Sequence, residues 1–258
     1  MLDSILKEIT SQDYSKIQND IETFLAKHLQ QSKGFVFGLS GGIDSAVIAH
    51  VCAKSFKEKS LALIMPDSKI SPKEETEDAL YTVDKLGIDY KLIDINMIHS
   101  QFGAVLEQDQ RALGNLRARI RANLLYYYAN MKNYLVLGSS DKSEYLIGYF
   151  TKFGDGSSDI MPIASLYKTQ VRQLAKYLDV KESIISKKSS PHLWKNHLAE
   201  DELGIPYEEI DCILYCIVDK KMSVSETQTT TNISADKIQK INQLHINSEH
   251  KRSTPSKL

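Results

Sequence analysis

The first 140 residues alternate short apolar runs with longer helical segments, and this alternation limits the possible folds more than any other feature. Four runs have the length and apolar content of buried strands: Phe35–Leu39, Leu61–Pro66, Tyr90–Ile95 and Tyr134–Ser140. Strand–helix alternation at this spacing produces βαβ units. The sequence therefore predicts an α/β fold with a parallel sheet and helices on both faces.

Helix signals fill the segments between these strands and most of the chain after residue 160. The predicted helices run from Ile43 to Phe56, from Ser71 as N-cap to Gly87 as stop, from a cap near Asn115, and over Thr169–Leu178 and Pro206–Val218. The polar run Ser225–Asn232 is predicted to be a loop, and residues 248–258 a mobile tail. Without a composition break, residues 1–258 are expected to form a single domain.

Composition narrows the class of protein. The chain has 258 residues, 42% hydrophobic and 25% charged, which is ordinary for a globular protein with a sizeable core. A net charge of -1 argues against a general nucleic-acid or membrane-surface binder. No apolar run approaches the roughly 18 residues of a membrane span, and MLDSILKEIT does not resemble a signal peptide. Three cysteines without disulfide spacing favour a cytoplasmic location, with Cys212 and Cys216 as core residues.

The turn SGGIDS joins the first strand to the first helix of the alternating region. Gly41 and Gly42 allow close approach of the backbone, Ser40 and Ser45 offer hydroxyls, and the helix presents its positive end. These features favour an anion site, although neither the Walker A nor the dinucleotide-binding pattern is present. The carboxylate of Asp44 suits such a site if it holds Mg²⁺ that bridges to phosphate.

Two other interpretations of this turn stay open. Gly38 to Gly42 also fits the G-x-S-x-G pattern of a hydrolase, with Ser40 as nucleophile. Such an elbow needs earlier strands and an oxyanion loop, whereas only the amphipathic helix IQNDIETFLAKHLQ precedes it, so this interpretation is disfavoured. The turn could also be purely structural, with Asp44 as a local cap.

Longer motifs identify a family resemblance. SGGIDS resembles the pyrophosphate loop of the ATP-pyrophosphatase superfamily, and LVLGSSDKSEYLIGYFTKFGDGSSDIMPI (Leu135–Ile163) resembles the signature of NAD synthetases. Four further segments are similar to that family in the same order: GNLRARIR, LYKTQVRQLAKYL, EDELGIPYEEID and HKR. The resemblance covers nearly the whole chain.

The resemblance implies a fold, an activity and partners. The fold would be a three-layer Rossmann-like sheet of order 3-2-1-4-5. The activity would be that of a ligase in NAD biosynthesis, which adenylates deamido-NAD with ATP and Mg²⁺ and then forms an amide bond with ammonia. No glutaminase domain with a nucleophilic cysteine precedes the loop, so the ammonia-dependent form is expected. The family also implies a homodimer with the dinucleotide near the interface, and no nucleic-acid or membrane partner.

The resemblance also implies roles for individual residues. Asp44, Glu144 and Lys168 would be catalytic, with Asp44 and Glu144 as Mg²⁺ ligands. ATP would contact Gly38, Leu39, Ser40, Gly41, Gly42, Ile43, Asp44, Ser45, Ser139, Lys168 and Ser190. Deamido-NAD would contact Arg119, Lys152, Asp159, His250 and Lys251. By analogy of fold, the adenine would lie near Ile64 and Met65.

One segment departs from the family pattern. The family usually reads Pro-Thr/Ser-Ala-Asp-Leu where this chain reads Ser189-Ser190-Pro191-His192-Leu193, so a histidine replaces an acid and a proline stiffens the segment. Two alternatives to NAD synthesis also remain. One is another enzyme of the ATP-pyrophosphatase type, either an amidating or an RNA-modifying one, and the other is a nucleotide-binding regulatory protein without turnover.

Overall fold

A four-stranded parallel sheet organises the N-terminal half of the chain. The computed structural model describes residues 1–30, 32–190, 193–194 and 197–255. The strands are β1 (Gly34–Gly38), β2 (Ser60–Ile64), β3 (Asp89–Leu92) and β4 (Tyr134–Leu137). Their order is β3-β2-β1-β4, and all neighbours are parallel. The carboxyl ends of β1 and β4 therefore lie side by side, where the order of an open sheet reverses and ligands commonly bind.

The expected fifth strand is wrong. Beyond β4 the described residues contribute only an isolated bridge between Leu137 and Ile160, in which Gly138 N–H donates to the Ile160 carbonyl at 2.9 Å. The next donor in a parallel ladder would come from residue 162, which is a proline without an N–H. The order 3-2-1-4-5 thus reduces to 3-2-1-4.

Fourteen α-helices surround the sheet in the described part of the chain. They are α1 (Leu2–Thr10), α2 (Tyr14–Leu29), α3 (Ile43–Phe56), α4 (Lys73–Leu86), α5 (Asn96–Gly103), α6 (Gln110–Lys132), α7 (Lys142–Ile147), α8 (Lys168–Tyr177), α9 (Glu182–Ile185), α10 (Ala199–Leu203), α11 (Tyr207–Leu214), α12 (Val224–Thr231), α13 (Ala235–Asn247) and α14 (Glu249–Arg252). None of those helices is long and apolar enough to cross a bilayer.

Side chains of β1 alternate between two cores. Phe35 and Phe37 pack with α3 residues in one cluster, whereas Val36 packs with α6 residues in another. Period-two alternation with both faces covered is the pattern of a central strand in a three-layer fold. A third cluster joins α1, α11 and α13 around Tyr207. Helices α7 and α8 both pack against α11.

Several helix boundaries follow local capping chemistry that the sequence analysis did not use. Helix α6 begins five residues before Asn115, because the Asp109 carboxylate accepts from Ala112 N–H at 2.6 Å. The predicted loop Ser225–Asn232 is mostly helix α12, which begins with a capping box between Ser223 and Glu226. Pro72, rather than Ser71, is the N-cap of α4.

Candidate active site

The glycine turn is held by its own hydroxyl groups. Ser45 Oγ donates to the Gly42 carbonyl at 3.0 Å and accepts from Ser40 N–H at 3.2 Å. Gly41 has φ +86°, and a Cβ at this position would lie 2.1 Å from the Glu75 carbonyl oxygen, so only glycine fits. The turn therefore directs the N-terminus of α3 into the space above the sheet, where backbone N–H groups can meet an anion.

Three carboxylates converge on one buried lysine beside this turn. Lys168 Nζ lies 2.7 Å from Asp44 Oδ2, 2.8 Å from Asp141 Oδ2 and 2.9 Å from Glu144 Oε1. The Lys168 side chain is 0% exposed. Asp44 follows β1, Asp141 and Glu144 follow β4, and Lys168 begins α8. The adjacency of β1 and β4 brings Asp44 and Glu144 together, as the expected sheet order implied, and the packing of α8 against α3 adds Lys168.

Asp141 is the member of this cluster that the sequence analysis missed. Its Oδ1 accepts from Glu144 N–H at 2.8 Å, so it is the N-cap of α7 while its other oxygen faces Lys168. Asp141 is 0% exposed. The signal was available in SSDKSE, where an aspartate stands three residues before a glutamate at a helix start.

Electrostatics keep Lys168 protonated. Burial opposes the charge, but the three carboxylates outweigh it and raise the Lys168 pKa well above its usual value. Burial, together with the mutual repulsion of the acids, raises the pKa of Asp141 and raises that of Glu144 well above the ordinary range. Full ionisation of the three acids would leave the cluster short of positive charge, with three carboxylates against one ammonium group.

This shortage fits a divalent cation. One oxygen each from Asp44, Asp141 and Glu144 lies within 4.8 Å of the others, which is close enough to share one ion. Asp44 Oδ1 is buried and has no hydrogen-bond partner within the described residues. A buried carboxylate oxygen without a partner is costly, and hard cations prefer such oxygens. The donor set therefore suits Mg²⁺.

A cavity of about 780 Å³ connects the turn and the cluster to the C-terminal segment. Most of the residues predicted to bind substrates line it: Gly38, Leu39, Ser40, Gly42, Ile43, Asp44, Ser45, Arg119, Ser139, Glu144, Lys152, Ser190, His250 and Lys251. Ile64 and Met65, expected near the adenine, also line it. Pro191 and His192 lie outside the described residues.

Three predicted site residues do not line this cavity. Gly41 supplies the bend of the turn, and Lys168 lies beneath the carboxylates rather than at the surface of the cavity. Asp159 Oδ2 accepts from Val136 N–H at 2.7 Å, so this side chain closes the open edge of β4. The structure therefore places Lys168 beside Asp44 and Glu144, and Asp159 at the edge of the sheet.

Three of the residues predicted for the dinucleotide are joined by hydrogen bonds to main-chain carbonyls. Lys152 Nζ donates to the His250 carbonyl at 2.5 Å, and Arg119 donates to the Lys152 carbonyl at 3.3 Å. Lys251 Nζ donates to the carbonyls of Gly148 and Phe150 at 2.6 and 2.8 Å, and burial lowers its pKa. Four positions from distant parts of the chain thus share one wall.

Other polar residues of the cavity were not predicted. Tyr149 OH donates to Glu202 Oε2 at 2.8 Å, and the same oxygen lies 2.7 Å from His197 Nε2. His197 stacks on Trp194 with a ring separation of 3.5 Å. Trp194, His197 and Glu202 come from one short stretch of sequence, and Tyr149 joins them only when the chain folds. They add aromatic and acidic groups to the lining of the cavity.

Comparison with known proteins gives a consistent family assignment. A model of the NAD synthase family matches residues 17–255. An NH(3)-dependent NAD(+) synthetase of Hyperthermus butylicus is 48% identical over 255 residues, which cover 97% of this chain and 92% of that protein. The enzyme of the same name from Pyrococcus furiosus is 42% identical over 246 residues, covering 94% of each chain.

Solved structures agree with this assignment. The NH3-dependent NAD synthetase from Campylobacter jejuni, solved with a nitrate ion, is 36% identical, with a TM-score of 0.82 and coverage of 96% of this chain and 100% of that one. An NMN synthetase from Francisella tularensis is 35% identical, with a TM-score of 0.85 and coverage of 96% and 99%. This chain belongs to the NAD synthase family.

Proposed function

We propose that this chain synthesises NAD⁺ by amidating deamido-NAD with ammonia in an ATP-dependent reaction. The observation that carries the proposal is the shared cavity, which joins an anion-binding turn, a carboxylate cluster and a basic wall. Relatives at 42–48% identity that are named for ammonia dependence support the nitrogen source. They also favour this function over that of another ATP-pyrophosphatase, whether an amidating or an RNA-modifying enzyme.

Adenylation is the first chemical step. A nicotinate carboxylate oxygen attacks the α-phosphorus of ATP, and the bond from that phosphorus to the bridging oxygen breaks, so pyrophosphate leaves with the electron pair. The chain's contribution is position and charge: N–H groups of the turn and of the first turn of α3 would meet the phosphates, with Ser139 offering a hydroxyl. Ser190 Oγ donates to the His197 carbonyl, so it would contact a phosphate only after releasing that bond. Mg²⁺, held by Asp44 and Glu144, would neutralise phosphate charge.

Amidation follows. The ammonia nitrogen attacks the acyl carbon, the bond from that carbon to the AMP oxygen breaks, and the nitrogen loses a proton as the amide forms. Lys168 has an indirect role in this proposal, because its ammonium is already engaged by three acids. It orients Asp44 and Glu144 rather than reaching the phosphates itself.

The dinucleotide would bind along the basic wall. Arg119, Lys152, His250 and Lys251 line the cavity, and the positive charges of the arginine and the two lysines suit a pyrophosphate linkage. Asp159 would have to release Val136 N–H to touch the ligand, so the geometry supports its predicted role less than that of the other four.

We also propose that the chain forms a homodimer. Exposed large apolar side chains of the described residues concentrate on β3, α5 and α6, including Leu92 (52%), Met97 (77%) and Tyr127 (62%). Apolar surface of this kind marks contact regions. The three cysteines are buried free thiols, which is consistent with the cytoplasmic location we propose. Light scattering of the purified protein tests the assembly.

The turnover assay should separate two related substrates. The structural similarity to an NMN synthetase makes nicotinic acid mononucleotide the second candidate acceptor. Protein, ATP and Mg²⁺ are mixed with either acceptor and with ammonium or glutamine, and the products are separated chromatographically. Asp44→Asn is compared with Asp20→Asn, an exposed acid of α2 outside the cavity lining.

The proposal expects NAD⁺ from deamido-NAD and ammonium, no product from glutamine, and loss of product only in Asp44→Asn. NMN as the preferred product would transfer the assignment to the second candidate. Release of AMP and pyrophosphate with neither acceptor amidated would retain the superfamily chemistry and reject the substrate.

A further inference from the structure

A buried carboxylate behind the catalytic cluster has no role in the chemistry described above. Asp211 lies on α11, is 0% exposed and does not line the cavity. Its Oδ1 accepts from Ser143 Oγ at 2.5 Å, and its Oδ2 accepts from Thr169 N–H at 2.8 Å. A buried acid needs such partners, but the choice of partners here is informative because both adjoin cluster residues.

The first partner, Ser143, connects the two helices that carry the cluster. It immediately precedes Glu144 on α7, and its Oγ accepts from Lys168 N–H at 2.9 Å while donating to Asp211. Ser143 is also 0% exposed. One hydroxyl thus joins the backbone of Lys168 to the helix of Glu144.

The second partner, Thr169, lies in the first turn of a helix whose N-cap side chain gives no hydrogen bond to that turn. Tyr167 is the N-cap of α8, and its own N–H donates to Gln170 Oε1 at 2.9 Å. The free N–H groups of Lys168 and Thr169 are satisfied instead by Ser143 and Asp211. A carboxylate at this place also interacts favourably with the positive end of the helix.

We propose that Asp211 is a positioning residue for the reaction: with Ser143 it locks the first turn of α8 to α7 and so fixes Lys168 relative to Glu144. This deepens the proposed function and rests on it. Lys168 Nζ reaches three acids at 2.7 to 2.9 Å, so a shift of its backbone misplaces the ammonium relative to all of them. A displacement of about 1 Å in such a site costs up to roughly a hundredfold in rate.

The test uses two variants that loosen the lock without enlarging a side chain. Ser143→Ala removes the hydroxyl bridge. Asp211→Asn keeps an acceptor for Thr169 N–H but loses the charge and leaves the Ser143 hydroxyl without its acceptor. Ser223→Ala is the matched control, because it removes a serine cap from α12, whose capping box lies outside the cavity lining. Circular dichroism fixes an assay temperature at which all variants are folded.

Two readouts are collected for each variant: kcat and KM for NAD⁺ formation, and calorimetric affinity for ATP with Mg²⁺ in the absence of the acceptor. We expect Ser143→Ala and Asp211→Asn to lower kcat about tenfold or more and to weaken Mg²⁺-dependent ATP binding. We expect the KM for deamido-NAD to stay within about twofold, because the basic wall is untouched, and Ser223→Ala to match the parent protein.

Failure of this inference is separable from failure of the proposed function. A parent protein that makes no NAD⁺ rejects the function, but calorimetry with ATP and Mg²⁺ still ranks the variants. A folded Ser143→Ala variant with kcat and ATP affinity within about twofold of the parent overturns the positioning role. Loss in Ser143→Ala but not in Asp211→Asn overturns the assignment to Asp211, and equal loss in Ser223→Ala reduces the effect to general stability.

Discussion

Lys168 Nζ lies 2.7 Å from Asp44 Oδ2, although 124 residues separate the two in sequence. The contact exists because α8, which begins with Lys168, packs against α3, which carries Asp44. A lysine expected to bind phosphate therefore lies at the centre of a carboxylate cluster. This geometry supports the proposal that Lys168 acts through the orientation of these acids.

Removal of the Lys168 charge should therefore abolish activity and also destabilise the fold. Lys168→Met leaves the buried Asp141 and the partly buried Asp44 and Glu144 without their cation, and we expect a loss of about 3 kcal/mol in the free energy of unfolding. Urea denaturation and NAD⁺ formation measure the two effects. Lys142→Met is the control, because Lys142 pairs with Asp219 at 2.7 Å in a more exposed setting, and its loss should cost about 1 kcal/mol or less. Equal effects of the two substitutions would contradict the cluster's role.

Gly41 should tolerate no side chain. Gly41→Ala places a Cβ 2.1 Å from the Glu75 carbonyl oxygen at φ +86°, so the turn must shift and ATP affinity should fall by about a hundredfold. Gly87→Ala is the matched control, since Gly87 also has positive φ (+64°) but its Cβ would meet only the flexible end of Lys57. We expect that variant to lose about 1 kcal/mol of stability and to bind ATP normally. Calorimetry with ATP and Mg²⁺ measures the affinity of each variant. Normal ATP binding by Gly41→Ala would reject the glycine turn as the phosphate site.

The C-terminal segment should affect one substrate more than the other. Lys251→Met removes a cavity-lining ammonium that spans the Gly148 and Phe150 carbonyls, so we expect the KM for deamido-NAD to rise about tenfold with little change in the KM for ATP. Lys240→Met is the control, because Lys240 also donates to a main-chain carbonyl, that of Leu203, but lies outside the cavity lining. A parallel rise in both KM values would indicate a general loosening.

That residues 248–258 are mobile without ligand stays a prediction, which hydrogen exchange with and without deamido-NAD can test.

Acid should weaken the fold through Asp78. Burial acts to raise its pKa, but hydrogen bonds from Lys181 and Lys187, at 2.7 and 2.6 Å, outweigh burial and lower the pKa below 3.8. A carboxyl whose pKa is lower in the folded state stabilises the protein above its unfolded pKa, and this stability is lost as the pH falls through the folded pKa.

Asp78→Asn should thus destabilise the protein by about 1 kcal/mol at neutral pH. The difference from the parent should vanish once the pH is below the folded pKa. Urea unfolding across a pH series measures it, with Asp84→Asn, an exposed acid of the same helix, as control. A destabilisation that persists unchanged in strong acid would assign the effect to packing instead of charge.

Local signals predicted the framework well. Helix α3 has the predicted bounds Ile43–Phe56, and α4 ends at Gly87, whose φ of +64° meets the need for a left-handed residue after the helix. The four strands were recognisable because they are short apolar runs between helices. The expected fifth strand does not form, because Pro162 has no N–H to donate the next hydrogen bond to β4.

The site was less accessible to sequence reasoning because its geometry is non-local. The family motifs pointed to Asp44 and Glu144 as neighbours. The position of Lys168 beneath them depends on how α8 packs against α3. The sequence analysis did not single out Asp141, and only the fold gives its second oxygen a partner. Asp159 sits in a glycine-rich motif, yet it closes the edge of β4.

Isotope labelling tests most directly whether the reaction passes through an adenylated intermediate. Deamido-NAD carrying ¹⁸O in its nicotinate carboxylate is incubated with the protein, ATP, Mg²⁺ and ¹⁵N-ammonium, and the products are analysed by mass spectrometry. We predict one ¹⁸O in AMP and ¹⁵N in the amide of NAD⁺, because the carboxylate oxygen attacks the α-phosphorus and ammonia displaces AMP. Label in inorganic phosphate, or amide formation with unlabelled AMP, would contradict an adenylated intermediate and with it the assigned role of the cavity.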